Sequence, residues 1–448
     1  MSLASLYRDH LNEVGRRTDR ALEDAGFDAI AIHSGTPPVR FLDDQSYPFV
    51  PNPHFRAWVP LSAPQSWVIH RPGRRPTIVF YQPADYWHST PQMPAEHWVE
   101  DVDLITVDAP AAAREQLPGG RIAVIGDPAA IPDWGFAAVN PSSLLAALHF
   151  ERAVKTPYEI ECMRRASAAG VRGHTAAAEA FQSGASEFEI HLAYLRATGQ
   201  TEADLPYSNI IALNEHAAVL HHTVLDSDAP ADRRSFLIDA GAASRGYACD
   251  ITRTHTTADG AFADLISAVD ALQQQLCDRV RPGTDYVDIH LAAHEGLAGI
   301  LRDAGIIDLA PADAVASGLS AVFFPHGIGH LIGLQVHDVA GLAVDRKGTE
   351  RPRPAGHPYL RLTRTLEPGF VVTIEPGLYF IPLLLDEARR NGHRAHIDWA
   401  VVERLAPYGG VRIEDDVVCT TAEPENLTRN AWQALKDAPH RQSGPAAR

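Results

Sequence analysis

Five acidic or histidine residues in the second half of the chain each lie in or beside an apolar, strand-like run. They are Asp239, Asp250, His330, Glu375 and Glu414. A charged side chain at the end of an apolar strand is costly to bury unless it is paired or bound to a metal. Four carboxylates and one imidazole form a hard, mostly anionic set that suits two divalent cations of the manganese, cobalt or zinc kind. The pattern therefore predicts a domain whose strands meet at a two-metal centre, as in a metal-dependent hydrolase.

The composition indicates a large globular protein. At 448 residues, 45% of them hydrophobic, the chain is expected to form two or three domains. The net charge of −17, with no block of five basic residues, argues against nucleic-acid or anionic-membrane partners. No apolar run approaches the roughly 18 residues needed to span a bilayer. The polar N-terminus and four widely spaced cysteines predict a cytoplasmic protein with reduced thiols.

The first third of the chain predicts a small α/β domain over residues 1–155. An amphipathic helix from Leu6 to about Ala25 precedes apolar strands at 27–32, 66–69, 77–81 and 121–125. Turns rich in proline and glycine separate these strands.

A second domain is predicted over residues 156–436. It begins with Thr156, Pro157 and Glu159, which match a helix N-cap, a first-turn proline and the closing residue of a capping box. The segments 184–192 and 283–291 form a faint repeat, which fits either two related α/β halves or two similarly capped helices. The polar residues 437–448 are expected to form a disordered tail.

Asp239 and Asp250 lie at equal distances from the middle of a predicted hairpin. A turn between Ser244 and Arg245 would place the two carboxylates directly opposite each other. Cross-strand Cβ atoms lie about 4.5–5.5 Å apart, which suits ligands of two neighbouring metals. Two ordinary aspartates at a loop edge remain an alternative for this pair alone.

The other candidate ligands also carry alternatives when each is taken by itself. His326 and His330 have the spacing of helical zinc ligands, but Gly327 and Gly329 between them favour a tight loop. Arg412 shares a strand face with Glu414, so a buried Arg–Glu pair without metal is possible.

Together, the ordered motifs closely resemble the pita-bread metallopeptidases, which include methionine aminopeptidase, aminopeptidase P and prolidase. The motifs are the two strand aspartates, His-Gly-Ile-Gly-His, Glu-Pro-Gly and Arg-Ile-Glu-Asp, within residues 157–425. Segments 41–44, 53–58, 83–87 and 209–218 extend the resemblance to the bacterial Xaa-Pro dipeptidases. It implies an α+β protein with a creatinase-like N-terminal α/β domain and a pita-bread domain of two pseudo-symmetric halves.

The resemblance also implies roles for individual residues. Asp239 would hold one metal, Asp250 and Glu414 would bridge both, and His330 with Glu375 would hold the other. Glu375 would act as general base, with His221, His337 and Arg412 as further catalytic residues. The substrate would contact Arg361, Arg364, Tyr207, His326, Asp43 and Asp44. His222 departs from the family, in which a tyrosine is expected.

The implied activity is hydrolysis of Xaa-Pro dipeptides by a homodimer with two divalent ions per subunit, manganese being favoured over cobalt or zinc. Side activity on organophosphorus esters is consistent with the same chemistry. Two alternatives remain at this point. One is an aminopeptidase P acting on longer peptides, and the other is a pita-bread protein that binds ligands without catalysis.

Overall fold

The computed structural model of the chain describes residues 2–437. These residues form two compact units. The first contains the chain up to Glu161 together with Ala343–Glu350, and the second contains the other described residues. The domain bounds 1–155 and 156–436 stay predictions, and all but the first residue of the predicted tail 437–448 lies outside the described chain. Among the described helices, none is long and apolar enough to cross a membrane.

The first unit is built on a mixed six-stranded sheet with the order β4-β3-β2-β1-β5-β6. Strand β1 pairs antiparallel with β2 and parallel with β5. The predicted helix and strands are all present, with bounds shifted by up to three residues. The elements are α1 (Leu3–Ala25), β1 (Ala29–His33), α2 (Pro53–Arg56), β2 (Trp67–His70), β3 (Thr77–Tyr81), β4 (Asp103–Val107), β5 (Ile122–Ile125), β6 (Ala138–Val139) and α3 (Ser142–Arg152).

The helix that follows begins where its capping sequence predicts. The backbone N–H of Thr156 donates to Oε2 of Glu159 at 2.7 Å, and the N–H of Glu159 donates to Oγ1 of Thr156 at 3.4 Å. Both bonds of the predicted capping box are therefore formed, and α4 runs over Pro157–Gln182.

The second unit contains two halves of the same kind. In each half, a pair of long helices comes before a three-stranded antiparallel sheet, and the repeated segments begin the second helix of the pair with Ser186 and Asp285 as N-caps. The first half contains α4, α5 (Glu187–Thr198), β7 (Ile210–Leu213), β8 (Ser235–Asp239), β9 (Ala243–Ser244), β10 (Tyr247–Ala248) and β11 (Thr252–Thr256).

The second half and the segments that join it complete this unit. Its strands pair in the order β12-β15-β16, while β13 and β14 form a separate ribbon. The elements are α6 (Ala261–Cys277), α7 (Tyr286–Asp303), α8 (Pro311–Ala316), α9 (Ser320–Phe323), β12 (Val371–Ile374), β13 (Gly377–Tyr379), α10 (Pro382–Arg390), α11 (Trp399–Leu405), β14 (Gly410–Arg412), β15 (Asp415–Val418), β16 (Glu425–Asn426) and α12 (Leu427–Asp437).

A single bridge between Thr252 and Glu414 joins the sheet of the first half to the strands of the second. Thr252 lies at the start of β11, whose partner β8 ends at Asp239. The ends of strands from both halves therefore meet at one place, where the predicted ligands are found.

Candidate metal centre

The hairpin that carries the two aspartates has a different register from the predicted one. Ser244 pairs with Tyr247, and Asp239 pairs with Thr252 rather than with Asp250. Arg245 and Gly246 form the turn with φ values of 54° and 89°, as a two-residue type I′ turn requires. The prediction of directly opposed aspartates was wrong, because the turn is centred one residue later than expected.

The two aspartates nevertheless approach one another through a shared phenol. Oη of Tyr207 donates to Oδ1 of Asp239 at 2.8 Å and also contacts Oδ1 of Asp250. Burial and the two carboxylates raise the pKa of Tyr207 well above its usual value, so the phenol keeps its proton. Gly241 is required beside this contact, because a Cβ there would lie 2.7 Å from the Tyr207 ring.

His330 enters the centre from a loop that packs on β12. Its backbone N–H donates to Oγ1 of Thr373 at 3.1 Å, and a Cβ on Gly329 would lie only 2.1 Å from the carbonyl oxygen of Thr373. His326 and His330 therefore lie on a tight loop, as the glycines predict. Nε2 of His330 lies 3.5 Å from Oδ2 of Asp250 and 3.8 Å from Oε1 of Glu375.

Glu375 follows the last residue of β12, and the chain resumes as β13 after Pro376. Burial raises the pKa of Glu375 to about 7, and His330 and Arg412 lower it only in part. Burial also raises the pKa of Glu414 well above its usual range, and Asp250 and Glu375 add to this rise. These carboxylates are therefore packed together with too little positive charge around them.

Arg412 reaches Glu414 only through a threonine. Its Nη2 lies 2.7 Å from Oδ2 of Asp239, and its Nε donates to Oγ1 of Thr252 at 3.3 Å. The same Thr252 hydroxyl donates to Oε2 of Glu414 at 2.6 Å. The sequence pattern correctly associated Arg412 with this carboxylate cluster, but Thr252 was missed, although it lies only two residues after Asp250.

A second polar partner that was not predicted is Tyr379. Its hydroxyl contacts Nη1 of Arg412 at 2.9 Å and Nε2 of His326 at 2.8 Å. Nδ1 of His326 lies 3.6 Å from Oε2 of Glu375. The signal that could have found Tyr379 is its position, two residues beyond the Pro-Gly that follows Glu375.

Two further predicted residues, His337 and His221, lie near the cluster. The ring of His337 meets that of His330 edge-on, with centroids 4.4 Å apart. Partial burial, with additional effects of His330 and Arg361, lowers the pKa of His337 to about 4. His221 is exposed, and its imidazole contributes to the lowered pKa of both His326 and His337, so it lies within electrostatic range of them.

The two candidate arginines for a substrate carboxylate have different surroundings. Arg364 is buried, its Nη2 lies 2.9 Å from Oε1 of Glu367, and its guanidinium lies 4.6 Å from the centroid of the Phe370 ring. Arg361 is exposed and is close enough to lower the pKa of His337.

Asp43 and Asp44 lie in the first unit, in an exposed loop. Oδ1 of Asp43 accepts from the backbone N–H of Asp44 at 2.7 Å, and Oδ1 of Asp44 accepts from the side chain of Gln45 at 3.0 Å. Their role in substrate binding stays a prediction.

His222, which departs from the family pattern, binds a buried carboxylate. Nε2 of His222 lies 3.0 Å from Oε2 of Glu187, and Nδ1 of His216 lies 2.8 Å from Oε1 of the same residue. Backbone N–H groups of Leu213 and Asp226 also donate to Glu187. The substitution therefore completes a hydrogen-bonded cluster around Glu187.

The donor set fits divalent cations. Ligand atoms of Asp250, His330 and Glu414 lie within 4.8 Å of one another, and all three residues are buried. Asp239 and Glu375 are connected to this group by the contacts described above. Asp250 and Glu414 are buried and Asp239 and Glu375 are partly buried, and neutralising these four carboxylates requires more positive charge than Arg412 and one imidazole supply.

Sequence comparison agrees with this geometry. A family model described as the N-terminal domain of Xaa-Pro dipeptidase matches residues 5–150, and the model of metallopeptidase family M24 matches residues 161–421. The chain belongs to metallopeptidase family M24. The M24 region contains all five predicted ligands, so the predicted membership of the pita-bread metallopeptidases is confirmed.

Relatives within family M24 match almost end to end. An Xaa-Pro dipeptidase of Xanthomonas campestris pv. campestris (strain 8004) is 54% identical over 97% of this chain and 99% of its own length. An Xaa-Pro dipeptidase of Stenotrophomonas maltophilia (strain K279a) is 52% identical over 96% of this chain and 98% of its own length. Zinc-substituted aminopeptidase P of Escherichia coli with product has a TM-score of 0.72 at 23% identity, covering 94% of this chain and 95% of its own. This likeness confirms the predicted fold class.

Proposed function

We propose that this M24 metallopeptidase hydrolyses Xaa-Pro dipeptides with two divalent cations in the cluster of Asp239, Asp250, His330, Glu375 and Glu414. The observation that carries the proposal is the convergence of these five side chains in a chain that matches Xaa-Pro dipeptidases over nearly its full length. Such cations supply a Lewis acid and lower the pKa of bound water to near neutrality.

The proposed ligand roles follow the contacts between the side chains. As the family resemblance implies, Asp250 and Glu414 would hold both cations, and Asp250 does approach both His330 and, through Tyr207, Asp239. Asp239 would help to hold one cation, and His330 with Glu375 would help to hold the other. Manganese is the proposed native metal, because oxygen ligands outnumber nitrogen ligands.

The residues of the chain supply proton transfer and positioning. Glu375 accepts the proton of the attacking water and later donates it to the proline nitrogen that leaves. His221 and His337 stabilise the negative charge on the peptide oxygen as water attacks. Tyr379 and Arg412 hold His326 and Asp239 in place through the hydrogen bonds described above.

Specificity for a dipeptide requires a group that binds the carboxylate after proline. A peptide bond to proline has no N–H that a protease can bind, so the carboxylate is the strong polar handle on that side. We assign this role to Arg361 rather than Arg364. Arg361 is exposed and is close enough to His337 to lower the pKa of that imidazole, whereas Arg364 is buried against Phe370 and paired with Glu367.

Further parts of the proposal rest on the family resemblance. They are a homodimer in the cytoplasm, a role of Asp43 and Asp44 in substrate binding, and side activity on organophosphorus esters. Tyr207 and His326, which approach the proposed metal-binding side chains, are also proposed to contact the dipeptide.

Comparing kcat/KM for Ala-Pro, Ala-Pro-amide and Ala-Pro-Gly tests the function. We expect Ala-Pro to be cleaved well and both other peptides poorly. Arg361→Ala should raise KM for Ala-Pro more than it lowers kcat. Arg364→Ala is the matched comparison, and it should lower the stability of the protein rather than selectively raise KM. Equal cleavage of the acid and the amide would contradict the carboxylate handle, and efficient cleavage of Ala-Pro-Gly would favour an aminopeptidase.

A further inference from the structure

Three histidines form a compact cluster apart from the five carboxylate-rich ligands. His290 and His294 are one turn apart on α7, and His357 comes from the loop that precedes Tyr359. Ring centroids are 4.7 Å apart for His290 and His294, and 4.6 Å apart for each of these with His357. One ring nitrogen from each histidine lies within 4.8 Å of the other two.

The ring nitrogens of the three histidines approach one another closely. Nε2 of His290 lies 2.9 Å from Nδ1 of His357. Nδ1 of His294 lies 2.9 Å from Oγ of the buried Ser320, and the buried Nδ1 of His290 has no hydrogen-bond partner among residues 2–437. A histidine that binds a metal almost always donates its other ring N–H to an oxygen, and Ser320 provides that oxygen.

The three rings are electrically neutral and have no acidic partner among residues 2–437. Burial lowers the pKa of His290, His294 and His357, and the neighbouring imidazoles lower it further for the first two. Neutral imidazoles with no carboxylate beside them offer their lone pairs to a cation.

A small cavity lies at the cluster. Its volume is about 10 Å³, which is roughly the space that one water-sized particle needs. The three rings line it together with other residues that include Phe324, Pro325 and His326. His357 is only half-buried, so an ion can reach the cluster from solvent.

We propose that His290, His294 and His357 bind one additional divalent cation of the zinc class, with water as the fourth ligand. Three imidazoles and water are a common tetrahedral zinc set, with Zn–N distances of about 2.0–2.1 Å. Nitrogens at those distances lie about 3.3 Å apart, so the closest pair in the cluster must separate by only a few tenths of an ångström. The all-nitrogen set selects zinc, cobalt or nickel over manganese.

The proposed site does not include the five proposed catalytic metal ligands, but it lies close to His326, which approaches Glu375. The Phe324 ring lies 4.8 Å from His294 and 4.7 Å from His326, measured between ring centroids. A cation there would tie the loop at His357 to α7 without using any of the five carboxylate-cluster residues.

Zinc stoichiometry in paired variants tests the proposal. Chelated protein is dialysed against dilute Zn²⁺, and bound zinc is measured by mass spectrometry. His357→Ala should bind one zinc fewer per chain than wild type, while the matched control His393→Ala, at a half-buried histidine outside the cluster, should bind as many as wild type. Adding His357→Ala to a Glu414→Gln variant, in which the proposed catalytic metal centre is impaired, should also lower the bound zinc by one ion per chain.

Cobalt loading provides a second readout. The Co²⁺ protein should show an absorption band of a tetrahedral site that disappears in His357→Ala and persists in Glu414→Gln. Circular dichroism confirms that each variant is folded. Equal zinc content in wild type and folded His357→Ala would overturn the proposal, as would a tetrahedral cobalt band that His357→Ala retains.

Discussion

Thr252→Val removes a hydroxyl that connects two members of the metal centre while keeping the shape of the side chain. Thr252 is completely buried, donates to Glu414 at 2.6 Å and accepts from Arg412 at 3.3 Å. A hydrogen bond to a charged group contributes about 1.5–3 kcal/mol. Because the bond to Arg412 is long, most of the loss should come from the bond to Glu414. We expect metal affinity to fall about 10–100-fold, as typically follows loss of a ligand's hydrogen-bond partner.

Thr254→Val is the matched control, since Thr254 lies two residues along the same face of β11. Its hydroxyl donates to the carbonyl oxygen of Arg412 and accepts from the backbone N–H of Arg412, both at 3.0 Å. The control should lose a similar amount of thermal stability but keep metal affinity close to wild type. Affinity is measured by competition with a chromophoric chelator, and stability by thermal melting. Wild-type affinity in Thr252→Val, or equal weakening in both variants, would refute the reasoning.

His337→Ala should keep the metal content of wild type and lower kcat by about 10²–10³-fold, and loss of metal would instead make His337 a ligand. Gly329→Ala should lower the melting temperature far more than Gly356→Ala. A Cβ at position 329 would lie 2.1 Å from the carbonyl oxygen of Thr373, whereas a Cβ at position 356 would meet no atom within 4 Å. Equal losses of melting temperature in the two variants would contradict this prediction. Burial lowers the pKa of His174 to about 3, so as pH falls below about 6.5 this histidine takes up a proton in the unfolded state but not in the folded state. The free energy of unfolding should therefore be about 2 kcal/mol lower at pH 5 than at pH 8 because of this group. His174→Gln should reduce the pH dependence of chemical unfolding, and an unchanged dependence would show that His174 is not the group responsible.

Local signals in the sequence predicted local structure well. The capping box at Thr156 and Glu159 forms because all of its partners lie within four residues. The tight loop at Gly327 and Gly329 was also predicted, since glycine there permits close approach to β12 and to Leu360.

Features that depend on distant pairing were predicted less well. The Asp239 hairpin was placed in the wrong register because Arg245, rather than a typical turn residue, takes the first left-handed position. Thr252 and Tyr379 were missed because their partners, Glu414 and Arg412, are more than 30 residues away in sequence. The family resemblance implies ligand roles that spacing alone left open, and these roles stay proposals.

Titrating Mn²⁺ into chelated enzyme while following both bound metal and Ala-Pro hydrolysis tests the central claim most directly. We predict that two equivalents bind per wild-type chain, that activity is absent without metal and reaches its maximum at the second equivalent, and that Asp250→Asn loses both tight binding and turnover. Metal-independent hydrolysis, full activity at one equivalent, or near-wild-type activity in remetallated Asp250→Asn would contradict the two-metal account.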